Sequence, residues 1–310
     1  MCCLFGIHDY AGQLSRKQKS KILSALSIAA EERGTDATGI AYNADDSLKI
    51  YKRPLPAHLL WFKIPEDCKV VMGHTRMTTQ GSERYNANNH PFPGKAGETN
   101  FALAHNGVLT NDKLLRRELN LPATRIETDS YIAVQILETA SEVSFATLAD
   151  MAELLQGSFA ITVMTDKDEL YFIRGNNPLC LMHFERLGVI MYASTEEILR
   201  SAIRQIPAKL GRATKIRIDS GEILKIDAEG KISRSQFDDS KLFTSTYSSR
   251  SWGSWFFSEP SWCRCTSDET SYLDDLKAVA AMHGIWPEDV DAMLADGATV
   301  DDIEELIYGC

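Results

Sequence analysis

The chain opens on Met1-Cys2-Cys3-Leu4-Phe5-Gly6-Ile7, and this stretch decides the fold. If Met1 is removed, Cys2 carries a thiol and a free α-amine on the same residue. An α-amine has an unperturbed pKa of about 7.7–8.0, so near neutral pH it can take the proton of the thiol, directly or through one water. The apolar residues 4–7 predict a short strand that holds this terminus in a core. The start therefore predicts a cysteine nucleophile with its own built-in base.

The composition is typical of a globular protein without a membrane anchor. The chain has 310 residues, of which 44% are hydrophobic and 25% charged, enough for one large domain or two. It has no apolar run of about 18 residues and no signal-peptide pattern. Its seven cysteines are scattered and odd in number, which favours a reducing compartment over a disulfide framework. We therefore expect a cytoplasmic protein that does not contact a membrane.

The negative charge is concentrated at the C-terminal end. The formal net charge is −10, but residues 268–310 contain twelve acidic residues and one lysine, which leaves the rest of the chain near neutrality. A near-neutral body with an acidic tail lacks the basic surface that binds phosphate backbones. The charge distribution therefore predicts that nucleic acid is not a partner.

Short strands alternate with a few helices over most of the chain. The pattern predicts a helix over residues 15–33, a helix capped by Asn111, and a closing hairpin made of residues 215–218 and 223–226. Many strands of antiparallel type with helices gathered at a few points favour two packed sheets flanked by helices over an alternating parallel α/β sheet.

The composition changes after residue 240. Residues 240–267 hold nine serines and seven aromatic residues. The serines indicate a linker, and the aromatic residues indicate that this linker packs against another surface. Residues 268–310 predict three short helices, the second of them opened by Pro287. We therefore expect a domain over residues 2–240, a linker over 241–267 and an acidic three-helix module over 268–310.

Polar residues at predicted strand ends fit the needs of a thiol that attacks an amide. Asn106 offers a side-chain amide N–H, and Gly107 offers a backbone N–H, so the two can form an oxyanion hole. Arg76 can form a fork to a carboxylate, and Asp129 can accept hydrogen bonds from an ammonium group. Arginine with aspartate is the pair that a free α-amino acid requires. Together with Cys2, these residues predict a hydrolase acting on the amide of an amino acid.

Taken together, the motifs resemble those of class-II glutamine amidotransferases, the glutaminase domains of the N-terminal-nucleophile hydrolases. The resemblance runs from about residue 2 to 226, with the motifs in the family's order and at similar spacing. It rests on the Cys2 start, on residues 33–40, 73–81, 89–92 and 103–107 with Asn111, and on residues 127–130.

The resemblance implies the fold and the reaction. The family has a four-layer αββα sandwich, of the α+β class, here followed by a small C-terminal helical module. Glutamine would be cleaved to glutamate and ammonia through a γ-glutamyl thioester on Cys2, with its α-amine as general base. Asn106 and Gly107 would form the oxyanion hole. No cofactor and no metal are implied.

The resemblance also implies how L-glutamine is held. Arg76 would bind the α-carboxylate, with Thr79 and Gly81 near it in a covering loop. Asp129 would bind the α-amine, and Arg33 would position the Cys2 terminus.

Two residues depart from the family pattern, and one part of the family's larger enzymes is missing. Cys3 stands where the family usually has glycine, and Met77 where an aromatic residue is common. Only about 70 residues follow residue 240, too few for an ammonia-consuming synthase domain, and no phosphate loop of the type Gly-x-x-x-x-Gly-Lys-Ser/Thr occurs. We therefore expect the ammonia to pass to an acceptor on another chain or to be released.

Rival interpretations remain open at this point. One is a catalytically weak, glutamine-sensing regulatory or docking protein that keeps the fold, and another is an amidase for a different amide. A metal hydrolase would use His74, His90, His105 and Asp129, but no His-x-x-x-His or Cys-x-x-Cys spacing supports it. A zinc site in the tail would have to use Cys263, Cys265, His283 and Cys310.

Overall fold

The computed structural model describes residues 2–45, 47–206 and 210–243, and, nearer the C-terminus, residues 277, 280, 285–295, 298–299, 302–303 and 306. The chain divides into two compact units, residues 1–245 and residues 246–310. The predicted linker over 241–267 begins in a short 3-10 helix, Ser240–Phe243, and its remainder lies outside the described residues.

The first unit contains strands and helices in the following chain order. The strands are β1 (Cys3–Asp9), β2 (Ala37–Ala44), β3 (Ser47–Arg53), β4 (Val70–Arg76), β5 (Phe92–Ala96), β6 (Thr99–Leu109), β7 (Gly157–Thr165), β8 (Leu170–Arg174), β9 (Cys180–Phe184), β10 (Val189–Ala193), β11 (Thr214–Ile216), β12 (Glu222–Ile226) and β13 (Ile232–Gln236). The α-helices are α1 (Arg16–Ala29), α2 (Asp112–Glu118), α3 (Tyr131–Glu138), α4 (Phe145–Leu154) and α5 (Glu196–Gln205).

The strands form two antiparallel sheets. The first has the order β11-β9-β10-β1-β4-β2-β3, and the second has the order β13-β12-β8-β7-β6-β5. β1 is near the centre of the first sheet, where Phe5 pairs with Ala193 of β10 on one side and with Gly73 of β4 on the other. The N-terminal strand is therefore fixed on both edges, and the residue before it, Cys2, has a defined position.

Three hydrophobic cores stack the sheets and helices into four layers. α1 and α5 pack on the outer face of the first sheet, in a core that includes Phe5, Leu26 and Leu199. α2, α3 and α4 cover the second sheet in the same way. A third core lies between the sheets and contains Leu4 and Met72. The predicted αββα sandwich is confirmed.

The first helix is shorter than predicted and is followed by a 3-10 turn. Ser15 caps α1 in a capping box with Gln18, and α1 ends at Ala29, after which Ala30–Arg33 form a 3-10 helix. Gly34 ends this turn beside the end of β4. A Cβ on Gly34 would lie 2.5 Å from the carbonyl carbon of Arg76, so only glycine permits this close approach of the two backbones.

The predicted closing hairpin is wrong. β11 pairs with β9 in the first sheet, whereas β12 pairs with β8 and β13 in the second. Ile216 of β11 and Leu224 of β12 both face the core between the sheets. The apolar alternation of the two strands is therefore the same whether they pair with each other or lie in opposite layers. β5 and β13 were not predicted.

The C-terminal unit is described in part. Its helix α6 (Pro287–Ala295) begins at the predicted proline, with Glu288 and Asp289 in the first turn. Val290 of this helix is buried with Ala280 and Ile303. The predicted helices before and after α6 lie largely outside the described residues. Across the described chain, no helix combines the length and the apolarity that a membrane crossing requires.

Candidate active site

A narrow cleft opens where the start of β1, the end of β4 and the polar end of β6 meet. Because β1 and β4 are antiparallel neighbours, with Cys3 opposite Thr75, the start of one strand lies beside the end of the other. Five of the eight predicted site residues line this cleft: Cys2, Arg76, Thr79, Gly107 and Asp129. The pairing of the strands thus brings together residues that are far apart in sequence.

The other three predicted site residues are not among the residues that line the cleft, but each contacts a neighbouring group. Arg33 is buried, and its Nε donates a hydrogen bond to the backbone oxygen of Cys2 at 3.2 Å. The backbone oxygen of Gly81 accepts a hydrogen bond from Arg76. Asn106 is buried beside Gly107, with its side chain between the two sheets, where it reaches Ser194. Arg33 and Gly81 thus bond directly to lining residues, whereas Asn106 precedes the lining residue Gly107 in β6.

Cys2 is half-buried, and its thiol donates a hydrogen bond to the backbone oxygen of Met77 at 3.4 Å. Burial raises the pKa of the Cys2 thiol, and the hydrogen bond to Met77 and the charge of Arg76 oppose that effect in part. A thiol whose pKa is raised stays protonated near neutral pH. It therefore needs an adjacent base before it can act as a nucleophile.

Cys3, the departure from the family's usual glycine, points away from the cleft. Its side chain is fully buried in the core beneath α1 and α5, and its thiol donates to the backbone oxygen of Leu4 at 3.2 Å. Burial raises the pKa of this thiol. The strand alternation that places Cys3 on the helix side is the reason that it neither lines the cleft nor competes with Cys2.

Arg76 is 3% exposed and is held in place by the loop that follows it. One terminal nitrogen donates to the backbone oxygens of Gln80 at 2.6 Å and Gly81 at 3.0 Å, and the other donates to Oδ1 of Asn89 at 2.7 Å. Burial lowers the pKa of the guanidinium, but arginine stays charged in proteins. The cleft therefore contains a fixed positive charge.

The turn after the 3-10 helix supports the same loop. The carboxylate of Asp36 accepts a hydrogen bond from the backbone N–H of Thr78 at 2.7 Å. The backbone N–H of Asp36 donates to the oxygen of Arg76 at 3.0 Å. The Arg-Gly-Thr-Asp segment identified in the sequence thus braces the chain on both sides of Met77.

Asp129 lies at the cleft wall, 4% exposed, just before α3. Its Oδ2 accepts from the backbone N–H of Leu109 at 2.6 Å, and its Oδ1 accepts from the backbone N–H of Ser130 at 2.8 Å. Its Oδ1 also accepts from the hydroxyl of Ser130 at 3.3 Å. A carboxylate has about four acceptor positions, so about one, on Oδ2, remains for a ligand. Asp129 is therefore a fixed hydrogen-bond acceptor in the same cleft that contains the positive charge of Arg76.

Gly107 must be glycine at its position in β6. Its φ is +140°, and a Cβ there would lie 2.0 Å from the backbone oxygen of Ser158. The backbone therefore comes close to the neighbouring strand β7 while Gly107 still borders the cleft. Its neighbour Asn106 faces the opposite side of β6, the side of Ala102 and Ala104 in the core between the sheets.

Three buried histidines surround the inner wall of the cleft. His74 and His90 have ring centroids 4.2 Å apart, and Nε2 of His74 bonds the backbone oxygen of His105 at 3.0 Å. Burial lowers the pKa of all three, to about 3 for His74, so they are neutral at physiological pH. Nδ1 of His105 lies 2.8 Å from Oγ of Ser130. Nε2 of His74 and both ring nitrogens of His105 thus bond to protein groups, whereas Nδ1 of His74 is buried without a hydrogen-bond partner among the described residues.

The geometry does not favour the metal hydrolase that these residues could have formed. Among the described residues, no three His, Cys, Asp or Glu side chains are arranged to hold one ion. The zinc site considered for the tail lies outside the described residues.

Several lining residues were not singled out from the sequence. They are Gln80, Thr128 and Ser130, together with His90 and His105, which were considered only as metal ligands. Thr128 Oγ1 and both ring nitrogens of His90 are buried and have no hydrogen-bond partner in the described part of the chain. The sequence signal that could have identified these lining residues was their position in the chain. Each belongs to a motif segment already identified, residues 77–81, 89–92, 103–107 or 127–130.

A larger groove lies elsewhere on the first unit. It runs along the edge strands β3 and β5, beside Lys52 and Phe92, and shares no lining residue with the cleft at Cys2. The chemistry of the side chains, not the size of the depression, therefore identifies the candidate site.

The chain is similar in sequence to a known family and to several curated proteins. Residues 74–201 match the family described as the glutamine amidotransferase domain. The glutamine–fructose-6-phosphate aminotransferase (isomerizing) of Staphylococcus epidermidis is 32% identical over 201 residues, which cover 61% of this chain and 32% of that protein. The protein of the same name from Staphylococcus aureus is similar to the same extent. The chain thus spans about a third of the length of these curated relatives.

The fold is also found among solved structures. Glutamine phosphoribosylpyrophosphate amidotransferase from B. subtilis matches with a TM-score of 0.59 at 21% identity, over 76% of this chain and 49% of that chain. The structure of an allosteric regulatory enzyme of purine biosynthesis matches with the same TM-score at 20% identity. At these identities the likeness concerns the fold.

Proposed function

We propose that the chain is a class-II glutamine amidotransferase, an enzyme with an N-terminal cysteine nucleophile, and that it hydrolyses the side-chain amide of L-glutamine to glutamate and ammonia. One observation carries the proposal: Cys2, Arg76, Gly107 and Asp129 border the same cleft. A nucleophile, a fixed cation, a backbone N–H and a fixed carboxylate are the groups that hydrolysis of an amino-acid amide requires.

The charged pair accounts for the choice of a free amino acid. Arg76 has five N–H donors, and three of them are used in bonds to Asn89, Gln80 and Gly81. The two others are available to the α-carboxylate of glutamine. The remaining acceptor position of Asp129, on Oδ2, takes the α-ammonium group. Thr79 and Gly81 belong to the loop that covers the substrate, and Arg33 holds the peptide of Cys2 in place.

The reaction follows from the groups at the cleft. With Met1 removed, the α-amine of Cys2 takes the thiol proton, and the thiolate attacks the side-chain carbonyl carbon of glutamine. The backbone N–H of Gly107 and the side-chain N–H of Asn106 stabilise the oxyanion. The α-ammonium returns the proton to the departing nitrogen, which leaves as ammonia and yields a γ-glutamyl thioester. Water then attacks the thioester, with the α-amine again as base, and releases glutamate.

The ammonia passes to an acceptor on another chain or is released into solution. The similar aminotransferases are about three times as long as the matched segment. The acceptor chemistry that their names describe is therefore a property of those longer proteins. The described cysteines Cys2, Cys3, Cys68 and Cys180 are all free. Free thiols, among them the nucleophile, support a reducing compartment such as the cytoplasm for this reaction.

A glutaminase assay with matched cysteine variants tests the proposal. Cys2→Ala removes the nucleophile, whereas Cys3→Ala removes a neighbouring thiol that does not border the cleft. We expect purified protein to release glutamate from glutamine, Cys2→Ala to lose that activity, and Cys3→Ala to keep it within a few-fold. Glutamate release that survives Cys2→Ala would contradict the proposal. Binding of glutamine without turnover by the processed protein would support the regulatory alternative.

A further inference from the structure

Ser194 connects the two sheets directly behind the cleft. It follows β10, is fully buried, and its Oγ accepts two hydrogen bonds, from the backbone N–H of Leu4 at 2.9 Å and from Nδ2 of Asn106 at 3.3 Å. Its backbone N–H donates to the oxygen of Leu4 at 2.9 Å. One serine therefore bonds both the strand that carries the nucleophile and the side chain assigned to the oxyanion hole.

We propose that Ser194 is a positioning residue that orients the carboxamide of Asn106 for oxyanion stabilisation. This inference rests on the proposed glutaminase function and deepens it. The amide nitrogen of Asn106 carries two N–H groups. When one donates to Ser194, the plane of the amide is fixed, and the second is left to donate toward the oxyanion. Such donors act only when they are held within about 0.5 Å and 10–20° of the productive geometry.

Asn177 holds the other end of the same residue. Its Nδ2 donates to the backbone oxygen of Asn106 at 2.9 Å. This bond fixes the peptide between Asn106 and Gly107, and hence the second oxyanion donor, but it does not touch the carboxamide. The orientation of the Asn106 side chain therefore depends on Ser194, and that of the Gly107 N–H depends on the main chain.

The chemistry of the residue explains why a serine is needed. A hydroxyl oxygen has two acceptor lone pairs, and Leu4 and Asn106 use both. Alanine would leave two buried donors unpaired and the carboxamide free to rotate about its terminal torsion, which is broad for asparagine. The predicted consequence is a slower chemical step, because the oxyanion forms in the transition state, with little change in glutamine binding.

The experiment measures kcat and KM for glutamine in Ser194→Ala, in Asn106→Ala and in the double variant. We expect Ser194→Ala to lower kcat about 10-fold or more and to change KM for glutamine less than about 3-fold. In the Asn106→Ala background, Ser194→Ala should lower kcat by less than about 2-fold, because no carboxamide remains to be oriented. Ser27→Ala, which removes another fully buried serine hydroxyl on α1, serves as the control and should keep kcat.

The outcomes separate orientation from general damage. The proposal would be overturned if Ser194→Ala lowered kcat by the same factor with and without Asn106→Ala, because the two effects would then be independent. A rise in KM with kcat unchanged would overturn it as well. If Ser194→Ala does not fold, the same cycle is run with Ser194→Cys, which has nearly the same shape and a weaker acceptor. A wild-type protein without glutaminase activity would instead refute the proposed function, so the two failures are distinguishable.

Discussion

The guanidinium of Arg76 donates to Oδ1 of Asn89 at 2.7 Å, and the ammonium of Lys52 donates to the backbone oxygen of the same asparagine. Asn89 thus joins the edge strand β3 to the cation in the cleft. Burial, together with the nearby charge of Arg76, lowers the pKa of Lys52 to about 8. The position of Arg76 is therefore set by contacts on two sides, the loop at Gln80 and the segment at Asn89.

Arg76→Lys should raise KM for glutamine by about 10- to 100-fold, with a smaller effect on kcat. The substitution keeps the charge but removes the planar fork, and hydrogen bonds to charged groups contribute about 1.5–3 kcal/mol each. Arg84→Lys is the matched control, since the Arg84 side chain is 89% exposed. Steady-state kinetics with glutamine measures both. Equal KM values in the two variants would contradict the role of Arg76 in carboxylate binding.

Gly107→Ala should abolish glutaminase activity and destabilise the domain. The new Cβ would lie 2.0 Å from the oxygen of Ser158 in a backbone conformation that alanine rarely adopts. Gly12→Ala is the control, because Gly12 also has a positive φ, of 63°, but a Cβ there would meet no atom within 4 Å. We expect a loss of about 1 kcal/mol for Gly12→Ala and clearly more for Gly107→Ala by urea unfolding. Similar losses of unfolding free energy in the two variants would contradict this prediction, because they would mean that β6 accommodates a Cβ at Gly107 without strain.

Stability should fall as the pH drops below about 6.5, the ordinary pKa of histidine. Burial lowers the folded-state pKa of His74 to about 3 and that of His8 to about 4. The unfolded chain therefore binds protons that the folded chain does not, so this stabilisation is complete above pH 6.5 and is lost as the pH falls toward the folded pKa values. Between pH 7 and pH 5 each such histidine costs up to about 2 kcal/mol.

A variant of His8 tests this pH dependence by urea unfolding at several pH values. His8→Leu removes a fully buried imidazole outside the cleft. The slope of the unfolding free energy against pH below pH 6 should decrease in His8→Leu by the contribution of one bound proton. An unchanged slope in His8→Leu would mean that His8 takes up its proton in the folded state.

The sequence predicted the parts of the site that depend on local alternation. The period of two in β4 places Met72 on the face toward the second sheet. The same alternation directs His74 to the backbone of His105. The resemblance supplied the pairing of these segments with Cys2, which no local pattern contains.

Long-range partners explain what sequence reasoning missed. Ser194 bonds a residue 190 positions away and another 88 positions away, so no neighbouring residue indicates its role. Asn111 was expected to cap α2 with its side chain, but that side chain instead donates to the oxygen of Leu154 and accepts from the N–H of Gln156. At both positions tertiary contacts, absent from any short window, decide where the polar group points.

The most direct test of the account is the mass of the protein after reaction with a glutamine-shaped electrophile, such as a diazoketone in place of the side-chain amide. Intact mass and the mass of the N-terminal peptide would be measured, with free glutamine as competitor. The account predicts loss of Met1 and a single adduct on Cys2 that glutamine prevents. A retained Met1, or label spread over Cys3 and other thiols without protection by glutamine, would contradict it.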